Sequence, residues 1–303
     1  MSDIVIQTEH LTKDYGCGHG IFDISFEVKK GEVFGFIGTN GSGKTTTIRN
    51  IMGFIRPDNG SVSVLGMDSW EKSIDIKPFV SYVPGEIAFP KLASGTDFLR
   101  LQAEYLGVTD FDYMNKLIRM FQLDPAANLK RMSKGMKQKT ALVAALMGDR
   151  DVLVLDEPTT GLDPLMREVF LDLIREEKAK GKTVFMSSHI FEEIEEVCNR
   201  AAMIKDGKLV DMIDVYALRH EQNKCFAAVF KKADDSLRFA AECTYAKCET
   251  NNAMCYIKIN RKDTGRLIKL LTNYSLLSFS EEHESLENRF KAAFAKGVTG
   301  NAN

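Results

Sequence analysis

The stretch Gly38-Thr39-Asn40-Gly41-Ser42-Gly43-Lys44-Thr45-Thr46 constrains this chain more than any other. An apolar, strand-like run, Val33-Phe34-Gly35-Phe36-Ile37, precedes it. A helix-period segment follows, with Ile48, Ile51, Met52 and Ile55 at i, i+3, i+4 and i+7. Strand, glycine-rich loop and helix form the context in which the pattern GxxxxGK[ST] becomes a phosphate cradle. The glycines let the backbone turn its N–H groups inward, and the helix N-terminus adds a field that favours anions. Lys44 is then placed to reach the β- and γ-phosphates of a nucleotide, and the Thr45 hydroxyl to take one position on Mg²⁺. A glycine-rich turn could match by accident, but the flanking strand and helix favour a nucleotide site.

The 303 residues allow one large domain or two smaller ones, with ample core. Charged residues make up 27% and apolar ones 44%, the balance of a soluble globular chain rather than a disordered one. A formal net charge of −2 offers nucleic acid no bulk attraction, and no nucleic-acid partner is expected. No apolar run approaches the roughly 20 residues that span a bilayer. Met1-Ser2-Asp3-Ile4 lacks the basic-then-apolar pattern of a secretory signal, so any membrane role is expected to run through a partner. Six scattered cysteines do not read as a disulfide scaffold. Cys243, Cys248 and Cys255 have no CxxC pair or suitably spaced His beside them, so reduced thiols are expected rather than structural zinc.

Along the chain, residues 3–28 read as strands, with Ile24, Phe26 and Val28 alternating with Ser25 and Glu27. Pro57-Asp58-Asn59-Gly60 is a turn before the strand Ser61–Leu65. From about Glu86 to Gly148 the character is helical, with apolar stripes Phe98, Leu101, Tyr105 and Met114, Leu117, Ile118, Phe121. The last helix of that block opens on Ser133 as an N-cap. Strand–helix alternation then resumes through Val152–Leu155 and Thr183–Met186 to a hairpin at Asp206-Gly207. Apolar strands without strict alternation point to a mostly parallel sheet buried on both faces. Beyond about Asp214, strand-like segments (Cys225–Phe230, Cys255–Ile259, Leu276–Phe279) alternate with helical ones (Ser236–Ala241, Thr264–Leu271, Leu286–Phe294). They predict a small α+β domain over 214–297, in which Glu281-Glu282-His283-Glu284 is a solvated approach to a helix. A disordered tail is expected at 298–303.

Val152-Leu153-Val154-Leu155 ends in Asp156 and Glu157, and a parallel strand delivers its C-terminal end to the ligand crevice. Asp156 would hold Mg²⁺ through its water shell, while Glu157 could polarise an attacking water. An acidic strand end facing solvent is the plainer alternative; the phosphate loop tips the balance towards a site.

The order of these motifs resembles that of ABC (ATP-binding cassette) ATPases over roughly residues 4–212. The resemblance implies an α/β fold: a P-loop NTPase core in 1–213, mostly parallel sheet plus an antiparallel β part, with a helical subdomain inserted at about 86–148. It places Tyr15 where the family stacks an aromatic on adenine. It matches Gly38 to Thr46, with Gly38, Asn40, Gly41, Ser42, Gly43, Lys44, Thr45 and Thr46 around the phosphates, to Walker A. Asp156 and Glu157 match Walker B and the catalytic glutamate, Gly161-Leu162-Asp163 the D-loop, and His189 the switch histidine that contacts the γ-phosphate. By itself Tyr15 would as readily be a packing residue, and His189 an ordinary histidine.

Two elements depart from the family pattern. The signature LSGGQ appears as Met132-Ser133-Lys134-Gly135-Met136, which keeps Ser133 and Gly135: a hydroxyl and a bare backbone at a helix N-terminus, offered to the other subunit's ATP. Similar Ser-Lys-Gly-Met runs mark the branch serving export-type (ABC-2-like) permeases. The Q-loop glutamine expected after Tyr82-Val83-Pro84 is replaced by Gly85, and Glu86 is the nearest oxygen donor to act on Mg²⁺ instead.

The resemblance further implies ATP and Mg²⁺ as ligands, hydrolysis of two ATP across a head-to-tail dimer, and coupling to separate integral-membrane permease subunits. The second ATPase subunit is either another copy or a sister chain. The location implied is cytoplasmic, on the inner face of the membrane through the permease. A soluble ABC-type ATPase acting on ribosomes or DNA is the alternative; such proteins resemble tandem cassettes or carry long coiled coils, and here there is one cassette and no sustained heptad run. A P-loop nucleotide kinase would leave Ser133–Met136, Asp163 and His189 unexplained.

Overall fold

A computed structural model describes residues 3–219, 223–282 and 286–290. The chain divides into two compact units, Met1–Val215 and Tyr216–Asn303. The first runs β1 (Ile4–Asp14), β2 (Gly20–Lys29), β3 (Val33–Ile37), α1 (Lys44–Ile51), β4 (Asn59–Val64), β5 (Met67–Asp68), α2 (Ser73–Ile76) and β6 (Val80–Val83). Three helices follow, α3 (Gly95–Leu106), α4 (Asp112–Met120) and α5 (Lys134–Leu146). The chain then returns to alternation with β7 (Val152–Asp156), α6 (Pro164–Ala179), β8 (Thr183–Ser188), α7 (Phe191–Val197), β9 (Arg200–Lys205) and β10 (Lys208–Asp214).

Six strands form one sheet in the order β10-β9-β3-β8-β7-β6, parallel throughout except where β10 turns back on β9. Every residue of β3, β7 and β8 is buried, which is why their sequences run apolar without alternating. The second sheet, β2-β1-β4-β5, is antiparallel. Its strand β2 does alternate, with Ile24, Phe26 and Val28 inward and Ser25 and Glu27 exposed. Phe26 joins the two sheets, its ring stacked 5.3 Å from Phe34 and 5.7 Å from Phe185. Such pairs add about 0.5–1.5 kcal/mol each beyond the area they bury.

Two details of the helical segment differ from the sequence reading. Helix begins only at Gly95: Pro90 lacks the N–H a helix interior needs, and Ser94 and Asp97 form a capping box that fixes the start of α3. The inward face of α3 is Phe98, Leu99 and Ala103, leaving Tyr105 76% exposed. In α4 the stripe holds, with Leu117 buried inside the helix and Phe121 buried at its C-cap. Tyr113 Oη donates to Glu177 Oε1 at 2.7 Å and Lys116 pairs with Glu176 at 2.8 Å, tying α4 to α6.

After α8 (Val215–Arg219), the second unit runs β11 (Asn223–Phe230), α9 (Ala233–Glu242), β12 (Lys247–Asn251), β13 (Met254–Asn260), α10 (Thr264–Leu271) and β14 (Leu276–Glu282). The antiparallel order β12-β13-β11-β14 makes it a ferredoxin-like β-α-β-β-α-β unit. Phe226, Phe230, Phe239, Ile257, Leu267 and Leu271 pack its core. Strand β12 escapes a sequence reading because Lys247-Cys248-Glu249-Thr250-Asn251 is an edge strand with no buried residue. Glu281 and Glu282 close β14 rather than leading into a helix, and Lys224 pairs with Glu281 at 2.6 Å. His283 and Glu284, the stretch 291–294 of the expected last helix, and the tail 298–303 lie outside the described residues. Among the described residues no helix is long and apolar enough to cross a membrane.

Candidate nucleotide-binding site

The parallel strands bring three chain ends to one edge. Ile37 at the end of β3 is in register with Ser188 of β8, and Ser187 of β8 with Asp156 of β7. The loop after β3 turns into α1 at Gly43, whose φ of 112° lies where only glycine is unstrained. No side chain caps α1, so the N–H groups of its first turn are left for an external acceptor. Lys44 is 6% exposed, and its Nζ donates to the carbonyls of Gly38 (2.7 Å) and Thr39 (3.1 Å).

A cleft of about 580 Å³ opens over this loop. Asn40, Gly41, Gly43, Lys44, Thr45 and Thr46 line it from one side, and Tyr15, 55% exposed, from another. Ser42 lies beneath, 3% exposed, and its Oγ has no hydrogen-bond partner among the described residues.

The two carboxylates differ in surroundings. Asp156 is fully buried, accepting from Thr45 Oγ1 (2.8 Å) and Ser187 Oγ (2.6 Å). A buried carboxylate satisfied by hydroxyls, with no cation paired to it among the described residues, is a hard-oxygen set that fits Mg²⁺. Glu157 turns the other way. Its Oε1 lies 3.1 Å from Lys44 Nζ and its Oε2 2.6 Å from His189 Nδ1. Its backbone adopts φ +49°, a left-handed conformation, and its N–H donates to Ser187 Oγ at 3.0 Å. Lys44, Glu157 and His189, 145 residues apart in sequence from first to last, thus form one contiguous polar chain beside the phosphate loop.

Other predicted residues stand apart from this cleft. Ser133 is exposed and caps its own helix, accepting from Met136 N at 3.2 Å. Asp163 caps α6 in the same way, accepting from Met166 N at 2.9 Å. Neither lines the cleft. Gly135 packs on the loop that carries Asp163: a Cβ there would come within 2.7 Å of Gly161 O. Glu86 is exposed and outside the cleft lining, and its side chain makes no hydrogen bond or ion pair among the described residues. Gly85 does reach the site, since a Cβ on it would stand 3.1 Å from Asp156 Oδ2.

Further participants were not singled out as site residues from sequence. His19 and the Asp206-Gly207 turn also line the cleft, and Gly207 N donates to Ser42 O at 3.0 Å, stapling the β9–β10 hairpin to the phosphate loop. Ser187 bonds both Asp156 and the backbone of Glu157. The only signal for it was its place at the end of a parallel strand.

A phosphate loop and two acidic residues at the carboxyl edge of a parallel sheet define a P-loop nucleotide-binding protein. Known proteins share the particular plan. The family model described as ABC transporter matches residues 21–160. Nod factor export ATP-binding protein I of Burkholderia pseudomallei (strain 1710b) is 35% identical over 215 residues, 69% of this chain and 71% of that protein. Bacitracin transport ATP-binding protein BcrA of Bacillus licheniformis is 31% identical over 226 residues, 73% of each. A solved ATP-binding subunit of an ABC transporter has a TM-score of 0.64 at 29% identity, covering 72% of this chain and 92% of its own. The chain belongs to the ABC transporter family, as one of its ATP-binding ATPase cassettes.

Proposed function

We propose that this cassette is the ATP-hydrolysing subunit of an exporter, driving separate integral-membrane permease chains from the cytoplasmic face. The observation that carries the chemistry is the Glu157 carboxylate held between Lys44 Nζ and His189 Nδ1 at the mouth of the phosphate loop. In this reading Lys44 and the first-turn N–H groups of α1 bind the phosphates, and Tyr15 packs on the base. Glu157 takes a proton from the attacking water, and His189 fixes the direction of that carboxylate. Mg²⁺ would be held by Thr45 and Asp156 and would supply charge neutralisation on the phosphates. Export as the direction is supported by the similarity to a protein named for Nod factor export.

Where the signature and D-loop residues sit supports a dimer. Ser133, Gly135 and Asp163 share one surface through the Gly135–Gly161 contact, yet Ser133 and Asp163 both lie outside the chain's own cleft. A second subunit docked head-to-tail would bring that surface to the phosphates. ATP then touches more protein in the closed pair than in the open one, the differential affinity that a switch requires.

Purification of the tagged chain from detergent-solubilised membranes tests the assignment. A multi-span protein is expected in stoichiometric amount, raising ATP turnover when reconstituted; recovery with ribosomes or DNA instead would overturn it.

Glu86 is proposed to act on Mg²⁺ through water, because Gly85 beside it abuts Asp156 but has no side chain to offer a ligand atom. Glu86→Ala is expected to raise the Mg²⁺ needed for half-maximal hydrolysis about tenfold. An unchanged Mg²⁺ titration would discard that role.

A further inference from the structure

One buried carboxylate outside the cleft sits where the segments bearing Glu157, Asp163 and His189 meet. Glu193, on α7, is 1% exposed. Its Oε2 accepts from Ser188 Oγ at 2.9 Å, and its Oε1 lies 3.1 Å from Arg167 Nε on α6. Ser188 Oγ in turn accepts from Ile190 N at 2.9 Å, so this hydroxyl brackets the backbone of His189 from both sides. Thr159 follows Glu157 by two residues. Arg167 stands one turn into the helix that Asp163 caps, its N–H donating to Asp163 O at 3.0 Å. The His189 turn and the segment that runs on from Glu157 into α6 are therefore both tied to one acid.

An acid is a costly choice for a dry position. Burial pushes the Glu193 carboxyl up from its ordinary range; the nearby Thr159 hydroxyl, the Ser188 hydrogen bond and the Arg167 charge pull the other way, and the Glu157 charge adds to the rise. An apolar side chain of similar volume would fill the space without that cost. What it could not do is hold Ser188 and Arg167 at once.

We propose that Glu193 is a positioning residue for hydrolysis, holding the His189 turn and the segment after Glu157 so that imidazole and carboxylate stay in contact. The proposal rests on the reading of Glu157 and His189 as the working pair. Loss of the clamp spreads His189 over several orientations and lowers the fraction of productive pairs. The phosphate loop, which shares no atom with the clamp, keeps its hold on nucleotide.

The test is ATPase kinetics on the full chain for Glu193→Met, Glu193→Gln, Ser188→Ala, His189→Ala and the double variant Glu193→Met/His189→Ala. Glu193→Met is expected to lower kcat about tenfold or more with KM for ATP within about twofold, and to melt no lower than the wild type. Glu193→Gln, which still accepts one hydrogen bond, should recover part of the loss. The double variant should be no slower than His189→Ala alone, the coupling expected of residues acting through one another. Multiplicative losses in the double variant, or a fall in kcat matched by a rise in KM and a lower melting point, would reduce Glu193 to a packing role. Wild-type turnover in His189→Ala would instead remove the working pair itself. If Glu193→Met does not fold, Ser188→Ala carries the same comparison: a loss non-additive with His189→Ala supports the clamp, and an additive one overturns it.

Discussion

Glu157→Gln is expected to bind ATP as the wild type does, to hydrolyse it about a hundredfold or more slowly, and to accumulate as an ATP-dependent dimer. The amide keeps the shape of the carboxylate and can still face His189, but it cannot accept a proton from water. Removing one negative charge 3.1 Å from Lys44 also removes a repulsion towards the phosphates, so nucleotide affinity has no reason to fall. Steady-state ATPase rates and gel filtration with and without ATP measure both consequences. Ordinary turnover would show that another group activates the water, and slow turnover without a dimer would break the link between nucleotide and subunit pairing.

Lys44→Ala is expected to fail one step earlier. The Lys44 ammonium is nearly buried in the phosphate loop and is aimed by the Gly38 and Thr39 carbonyls. Hydrogen bonds to charged groups are worth about 1.5–3 kcal/mol each. Losing roughly 2–3 kcal/mol weakens ATP binding about 30- to 150-fold. Calorimetric titration with ATP measures it directly. An unchanged Kd beside abolished turnover would reassign Lys44 from holding the ground state to stabilising the transition state.

Sequence was most informative where local chemistry is self-contained. The phosphate loop announces itself because Gly43 must take a left-handed turn and Lys44 must follow it, and both constraints fall within one short stretch. The buried strands β3, β7 and β8 were legible because burial on two faces leaves only apolar side chains for them. Ser133 was legible as a helix cap, and the structure uses it as one. What stayed hidden depends on contacts between distant segments. Ser187 and Glu193 carry ordinary residue types, and their meaning appears only when β8, β7 and α6 lie side by side. Tyr105 fitted a helical stripe but faces out, because the capping box at Ser94 sets where α3 starts while packing sets which face turns inward. β12 buries no residue fully, only Cys248 resting on the core, and exists because β13 offers it a hydrogen-bonding edge.

Glu157 holds a left-handed backbone at φ +49°, a posture in which a Cβ crowds the neighbouring carbonyl oxygen and costs about 1 kcal/mol relative to glycine. On the proposed role of Glu157, durability and fuel consumption pull in opposite directions at a single residue. Hardening this cassette against heat by substituting glycine or asparagine wherever the chain twists leftward would then gain a few degrees here and stop hydrolysis. Position 157 is where a thermostable design must stay its hand.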